Sequence, residues 1–86
     1  MTQLKTNISV IELKICEIMS NIVKDTDGIS ITLGSKLLDL GIDSLTFIEV
    51  IVEIENEFGI EFGEEKLNQK EFESVQEIAK YVWDLL

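Results

Sequence analysis

The chain has 86 residues, the length of one small domain, and we expect a single domain over residues 1–86. Seventeen acidic residues against seven lysines, with no arginine or histidine, give a formal net charge of −10 at pH 7. This charge argues against binding to nucleic acid or to an anionic membrane, because both require a basic protein surface. It favours a soluble protein whose partners carry Lys/Arg patches. We also expect a monomer.

The cysteine count and the apolar runs indicate the compartment. Cys16 is the single cysteine, so an intramolecular disulfide is excluded. Charged residues interrupt the N-terminal apolar runs, and no stretch has the length of a signal peptide core or a membrane span. We therefore expect a cytoplasmic protein, and the start at Met1 favours a discrete chain over a module of a larger synthase.

The first predicted helix covers residues 8–23. Its apolar stripe recurs every three or four residues and consists of Ile8, Ile11, Ile15, Ile18 and Ile22. Asn7 or Thr6 is suited to cap its start, and residues 24–28 end it, with Gly28 supplying turn freedom.

Residues 24–43 are predicted to form a long connection. Residues 29–33 alternate between apolar and polar like a strand, but no partner strand is evident, so we interpret them as loop. A short helical turn is expected over residues 35–40, and Leu37 and Leu40 are suited to hold the connection against the core.

The second half of the chain predicts two main helices and a short one. Residues 44–58 form a helix with Asp43 as N-cap and Gly59 as the C-terminal stop. A short helix is expected over residues 64–69. The last helix opens with Ser74 and Glu77 in capping-box spacing, and its stripe is Val75, Ile78, Ala79, Val82 and Leu86. The fold class predicted is an all-α bundle of three main helices plus one short helix.

The second helix has more apolar surface than one core requires. Its core stripe is Phe47, Val50, Ile51, Ile54 and Phe58. A neighbouring arc of Leu45, Ile48 and Val52 extends the apolar surface to roughly 220°, about twice the usual core-facing stripe. The remaining arc carries Glu49, Glu53 and Glu57, four residues apart and mutually repelling. Acids beside a surplus apolar arc are typical of a docking surface, and a plain solvated face is the alternative.

The residue types exclude most catalytic chemistry. Ser-His and Cys-His nucleophile systems are impossible without histidine, and we expect Cys16 to be a core or boundary residue. The acidic sequence beginning at Asp25 fails as a calcium loop, because Lys36 occupies the twelfth position, where a bidentate glutamate is required. We therefore predict that the chain is not an enzyme and holds no metal.

Ser44 is instead suited to be a substrate. It follows Asp43 at a helix start, where backbone N–H groups and the helix dipole stabilise an esterified phosphate by about 0.3–1 kcal/mol. Without further pattern, an ordinary helix start would explain the same two residues.

The sequence around Ser44 resembles the 4′-phosphopantetheine attachment motif of the acyl carrier protein family. The residues that carry the resemblance are Asp39-Leu40-Gly41-Ile42-Asp43-Ser44-Leu45, supported by Glu49-Val50, by residues 55–61 and by Ser74-Val75-Gln76. The resemblance spans nearly the whole chain, and Gly-x-Asp-Ser-Leu in a small acidic helical domain is highly specific.

The resemblance implies a four-helix bundle that carries a covalent 4′-phosphopantetheine on Ser44. Asp43 then helps to position the modification site. A separate phosphopantetheinyl transferase installs the arm from coenzyme A, and the arm's thiol carries an acyl or related group as a thioester. By position, the residues that partner enzymes grip are Leu45, Ile48, Glu49, Val52 and Glu53. The expected partners are acyl-transferring, condensing or acyl-activating enzymes with basic docking patches.

Several positions depart from the carriers of primary fatty acid synthesis. Thr46, Phe47 and Asn56 differ from the usual choices, and residues 66–73 are about two residues longer. A role in polyketide or other specialised biosynthesis is therefore comparable with one in fatty acid synthesis. The alternatives are an aminoacyl or peptidyl carrier of a peptide-synthesis pathway and an unmodified acidic helical interaction module.

Overall fold

The computed structural model describes residues 7–23 and 30–86, and this part of the chain is all-α. Its helices are α1 (Ile8–Ile22), α2 (Ser44–Phe58) and α3 (Val75–Leu85), with two single-turn 3-10 helices at Glu64–Lys66 and Gln69–Glu71 between α2 and α3. Helix α1 packs against both α2 and α3. The predicted all-α class with three main helices is confirmed.

Helix α1 faces the core along a slightly different line from the predicted isoleucine stripe. Ile11, Ile15 and Met19 are fully buried, whereas Ile8, Ile18 and Ile22 are half-buried at the edges of this line. The sequence argument missed Met19, because a search for repeated isoleucines passed over an unbranched side chain that fills the core equally well. Asn7 caps the helix as predicted, accepting a hydrogen bond from Ser9 N–H at 2.8 Å.

Helix α1 ends at Ile22, one residue before the predicted end, and Val23 is its C-cap. Val23 N–H donates to the Met19 carbonyl and closes the last turn. The predictions for Thr6, for residues 24–28 with Gly28, and for Ile29 lie outside the described residues. Residues 30–33 form no strand, as expected, and a hydrogen-bonded turn lies at residues 36–41.

Helix α2 begins and ends at the predicted residues. Asp43 Oδ1 accepts from Thr46 N–H at 2.8 Å at the start, and Gly59 terminates the helix at φ 66°. This left-handed conformation suits glycine, since a Cβ at positive φ is strained. The predicted core stripe is confirmed in full, because the buried residues of the helix are Phe47, Val50, Ile51, Ile54 and Phe58.

The predicted capping box of α3 is wrong. Ser74 is the N-cap residue, but its side chain makes no cap hydrogen bond, and Glu77 Oε1 accepts from Glu73 N–H at 2.6 Å. Backbone carbonyls of the connection replace the cap: Val75 N–H donates to Ser35 O and Gln76 N–H donates to Leu33 O. The first free N–H groups of α3 are therefore satisfied by tertiary contacts that no local pattern contains.

The short helix predicted over residues 64–69 is replaced by two separate 3-10 turns. Asn68 Oδ1 accepts from Lys70 N–H at 2.8 Å and starts the second turn, so a single helix does not run through this segment. Phe62, Phe72 and Tyr81 hold the segment by ring contacts, with centroids 4.8 to 6.1 Å apart. Gly63 N–H also donates to the Tyr81 hydroxyl at 3.1 Å.

The core combines one face of each helix with residues from both connections. Its buried members are Ile11, Ile15, Met19, Val23, Leu37, Leu40, Ile42, Phe47, Val50, Ile51, Ile54, Phe58, Phe62, Phe72, Val75, Ile78, Ala79 and Val82. The predicted stripe of α3 belongs to this core, except that Leu86 is only half-buried. Among the described residues, no helix combines the length and apolar character that crossing a bilayer requires.

Replacing Phe47 with alanine tests the central position of α2. Phe47 is 1% exposed, so we expect Phe47→Ala to lower the free energy of unfolding by about 3–5 kcal/mol. Leu45 is 73% exposed on the same helix, and Leu45→Ala is expected to change stability by less than about 0.5 kcal/mol. Urea unfolding of both variants checks this, and similar losses would contradict the orientation of α2.

Candidate functional site

The turn before α2 is anchored to the core on both sides of Gly41. Leu40 and Ile42 are buried, and Gly41 between them adopts φ 67°. A residue with a Cβ would be strained in this left-handed conformation. The turn therefore fixes where Asp43 and Ser44 emerge at the surface.

Ser44 is the first residue of α2 and is exposed. Its hydroxyl donates to Gln69 Oε1 across a long distance of 3.4 Å. A phosphate ester at this oxygen would face solvent beside the first N–H groups of α2, which favour an anion. An exposed hydroxyl in this setting fits a phosphodiester-linked group.

Gln69 is the neighbour of Ser44 that sequence reasoning missed. It begins the second 3-10 turn and reaches Ser44 from 25 residues further along the chain. No local pattern signals such a contact, because it depends on the path of the segment held by Phe62, Phe72 and Tyr81.

Asp43 stabilises the start of α2 by accepting a hydrogen bond from Thr46 N–H. The bond from the Thr46 backbone N–H is the main cause that lowers the pKa of the Asp43 carboxyl below its usual value of 3.8. Its carboxylate therefore stays ionised at neutral pH and fixes the first turn of α2, directly beside Ser44. The positioning role that the resemblance implies for Asp43 stays a prediction.

The surplus apolar arc of α2 is present at the surface. Leu45 is 73% exposed, Val52 is 45% exposed, and Ile48 is half-buried between them. Glu49 and Glu53 are also exposed on this helix. We call Leu45, Ile48, Glu49, Val52 and Glu53 the docking face. The structure brings these predicted residues together beside Ser44, and their role in binding stays a prediction.

The other candidate groups have ordinary structural positions. Cys16 is half-buried on α1, and burial raises the pKa of its thiol, with a smaller contribution from Glu12. This disfavours the reactive thiolate form and agrees with the boundary position predicted from the sequence. No group of three or more potential metal-ligating side chains occurs in residues 7–23 and 30–86.

Fold and site together define a small helical domain that presents a serine at a helix start. A family model described as "Phosphopantetheine attachment site" matches residues 14–82, most of the chain. The chain belongs to the acyl carrier protein family, whose members are carriers and not catalysts. The resemblance seen in the sequence is thereby confirmed, together with its implied cofactor, 4′-phosphopantetheine.

Curated relatives agree with this assignment. The chain is 37% identical over 73 residues to acyl carrier protein 5, chloroplastic, of Arabidopsis thaliana, a match covering 85% of this chain and 51% of the relative. It is 32% identical over 73 residues to the chloroplastic acyl carrier protein of Brassica napus, covering 85% and 53%. It is 40% identical over 60 residues to the acyl carrier protein of Coprothermobacter proteolyticus, covering 65% and 73%. The chain spans about half the length of the chloroplastic relatives it matches.

The cap formed by Asp43 predicts a pH dependence of stability. The pKa of Asp43 is lower in the folded state than its usual value of 3.8. The ionised carboxylate therefore stabilises the fold at pH values above 3.8, and this contribution is lost as the pH falls through the folded-state pKa. Asparagine caps helices equally well and does not titrate in this range. We expect wild type to lose stability relative to Asp43→Asn on acidification, in melting curves collected between neutral pH and pH 2–3.

The companion variant Asp43→Ala removes the cap at every pH. It should melt below Asp43→Asn at pH 7, and this gap should persist in acid. The other carboxylates titrate in all three proteins, so the difference isolates Asp43. If the difference in melting temperature between wild type and Asp43→Asn does not change with pH, the charged form of Asp43 does not act as the cap.

Proposed function

We propose that this chain carries an acyl or related group as a thioester on a 4′-phosphopantetheine arm attached to Ser44. The observation that carries the proposal is the exposure of the Ser44 hydroxyl at the N-terminus of α2, inside the matched attachment region. The arm supplies the thiol that forms the thioester. The family model and the motif around Ser44 support the attachment point.

The chain's own residues present the serine and leave the chemistry to partners. In the transfer, Ser44 Oγ forms a bond to the phosphorus of the pantetheine phosphate, and the P–O bond of the coenzyme A pyrophosphate breaks. Adenosine 3′,5′-bisphosphate is the leaving group, and a base of the transferase takes the hydroxyl proton. The Gly41 turn and the Asp43 cap hold Ser44 at a fixed start of α2. Tethering then raises the effective concentration of the carried group at each partner's active site.

The docking face is the proposed contact for partner enzymes. Its exposed leucine and valine supply apolar area, and its two glutamates supply charge for basic patches. The proposed partners are the phosphopantetheinyl transferase and then acyl-transferring, condensing or acyl-activating enzymes of fatty acid, polyketide or other specialised biosynthesis. We also propose that the protein acts as a monomer in the cytoplasm.

Incubation with coenzyme A and a broad-specificity phosphopantetheinyl transferase tests the attachment site. Intact-mass spectrometry should show that wild type gains one phosphopantetheine group and that Ser44→Ala gains none, because the accepting oxygen is gone. Ser20→Ala removes another exposed serine hydroxyl and should be modified like wild type.

A wild type that stays unmodified with several transferases would refute the carrier proposal. The alternative of an unmodified interaction module would then be favoured. That alternative predicts that Ser44→Ala still binds a basic partner. The acyl, aminoacyl or peptidyl nature of the group is read from the mass of the loaded protein isolated from its native host.

Charge reversal on the docking face tests partner recognition. Glu49→Lys and Glu53→Lys are each expected to raise the transferase KM for the protein by about two- to fivefold, the range of exposed charge pairs. Melting temperatures should stay close to wild type, because neither side chain packs in the core. Glu61→Lys makes the same charge change at an exposed position away from the docking face and is the matched control. If Glu61→Lys raises the KM equally, the effect depends on net charge and not on the docking face.

A further inference from the structure

A groove of about 580 Å³ lies where α1 passes the docking face of α2. Its apolar lining comes from both helices, and its members are Ile18 and Ile22 of α1 and Ile48 and Val52 of α2. Glu49 and Glu53 line the same groove. The apolar surface beside Ser44 therefore does not stop at α2, because α1 supplies a second wall.

The acids of the groove are not neutralised within the described part of the chain. None of the ion pairs among residues 7–23 and 30–86 involves Glu49 or Glu53. Lys14 of α1 pairs with Glu17 and Glu57 at 3.4 and 3.7 Å and does not line the groove. The groove thus combines an apolar lining with two exposed carboxylates. Among the described residues, no lysine forms an ion pair with either of them.

We propose that this groove receives one apolar side chain of a partner enzyme, flanked on the partner by Lys or Arg. The apolar side chain would pack against Ile18 and Ile22 as well as Val52, and the flanking cations would pair with Glu49 and Glu53. An apolar anchor surrounded by charged contacts is the usual anatomy of such interfaces. This inference rests on the carrier function and extends the recognition surface from α2 to α1.

Asn21 allows the α1 wall to be tested without disturbing the core. It is exposed and neutral, and it lines the groove beside Ile18 and Ile22. A positive charge at this position would meet the partner's own cations, whereas a negative charge would attract them. Ser20 is the adjacent exposed residue of α1 and does not line the groove, so the same charge changes at Ser20 are matched controls.

The experiment measures steady-state transfer of phosphopantetheine from coenzyme A to each variant, using the broad-specificity transferase as the probe. Asn21→Lys is expected to raise the KM for the protein about threefold with kcat retained, and Asn21→Asp is expected to keep or lower it. Ser20→Lys and Ser20→Asp should change the KM less than the same substitutions at Asn21, because Ser20 does not line the groove.

A second pair of variants tests the apolar wall. Ile18→Ala removes lining from the groove and should raise the KM, whereas Leu13→Ala truncates an exposed α1 residue outside the groove and should not. Ile18 is half-buried, so its variant is first compared with wild type in urea unfolding. If it fails to fold, the Asn21 and Ser20 variants decide alone.

The outcomes separate the two proposals. If wild type accepts the arm and the Asn21 variants behave like their Ser20 controls, the α1 wall is overturned and the carrier function stands. If wild type accepts no arm, the carrier function fails and the inference fails with it. A selective, charge-dependent effect at Asn21 supports the groove.

Discussion

The burial of one face of α2 is the constraint on which the rest of the structure depends. Phe47 and the aliphatic residues behind it fill the core, which fixes the rotation of α2 about its own axis. Since each residue advances the helix by about 100°, Leu45 is then forced to the opposite side and Ser44 to the edge. One packing interaction therefore sets the positions of both Ser44 and the docking face.

The segment between α2 and α3 gives this arrangement its second support. Ring contacts among Phe62, Phe72 and Tyr81 hold the two 3-10 turns against the bundle. Lys66 lies 5.8 Å from the ring centroids of Phe72 and Tyr81 and adds a cation–π contact. These contacts bring Gln69 to the Ser44 hydroxyl, so residues far along the chain shape the surroundings of Ser44.

Acidic residues in the described part of the chain differ in what they contact. Asp43 and Glu77 accept backbone N–H bonds and support helix starts, whereas Glu49 and Glu53 lie exposed beside apolar surface. A net charge of −10 costs stability through self-repulsion.

Local sequence rules were sufficient to predict α2, its cap at Asp43, its stop at Gly59, its core stripe and the position of Ser44 at its start. Each of these follows from local rules of helical periodicity, capping and positive-φ glycine, which act over a few residues. Three features come from long-range packing: the Ser35 and Leu33 carbonyls accept the first N–H groups of α3, Gln69 contacts Ser44, and α1 lines the groove. These contacts join residues distant in sequence, and only the packing of the whole chain brings them together.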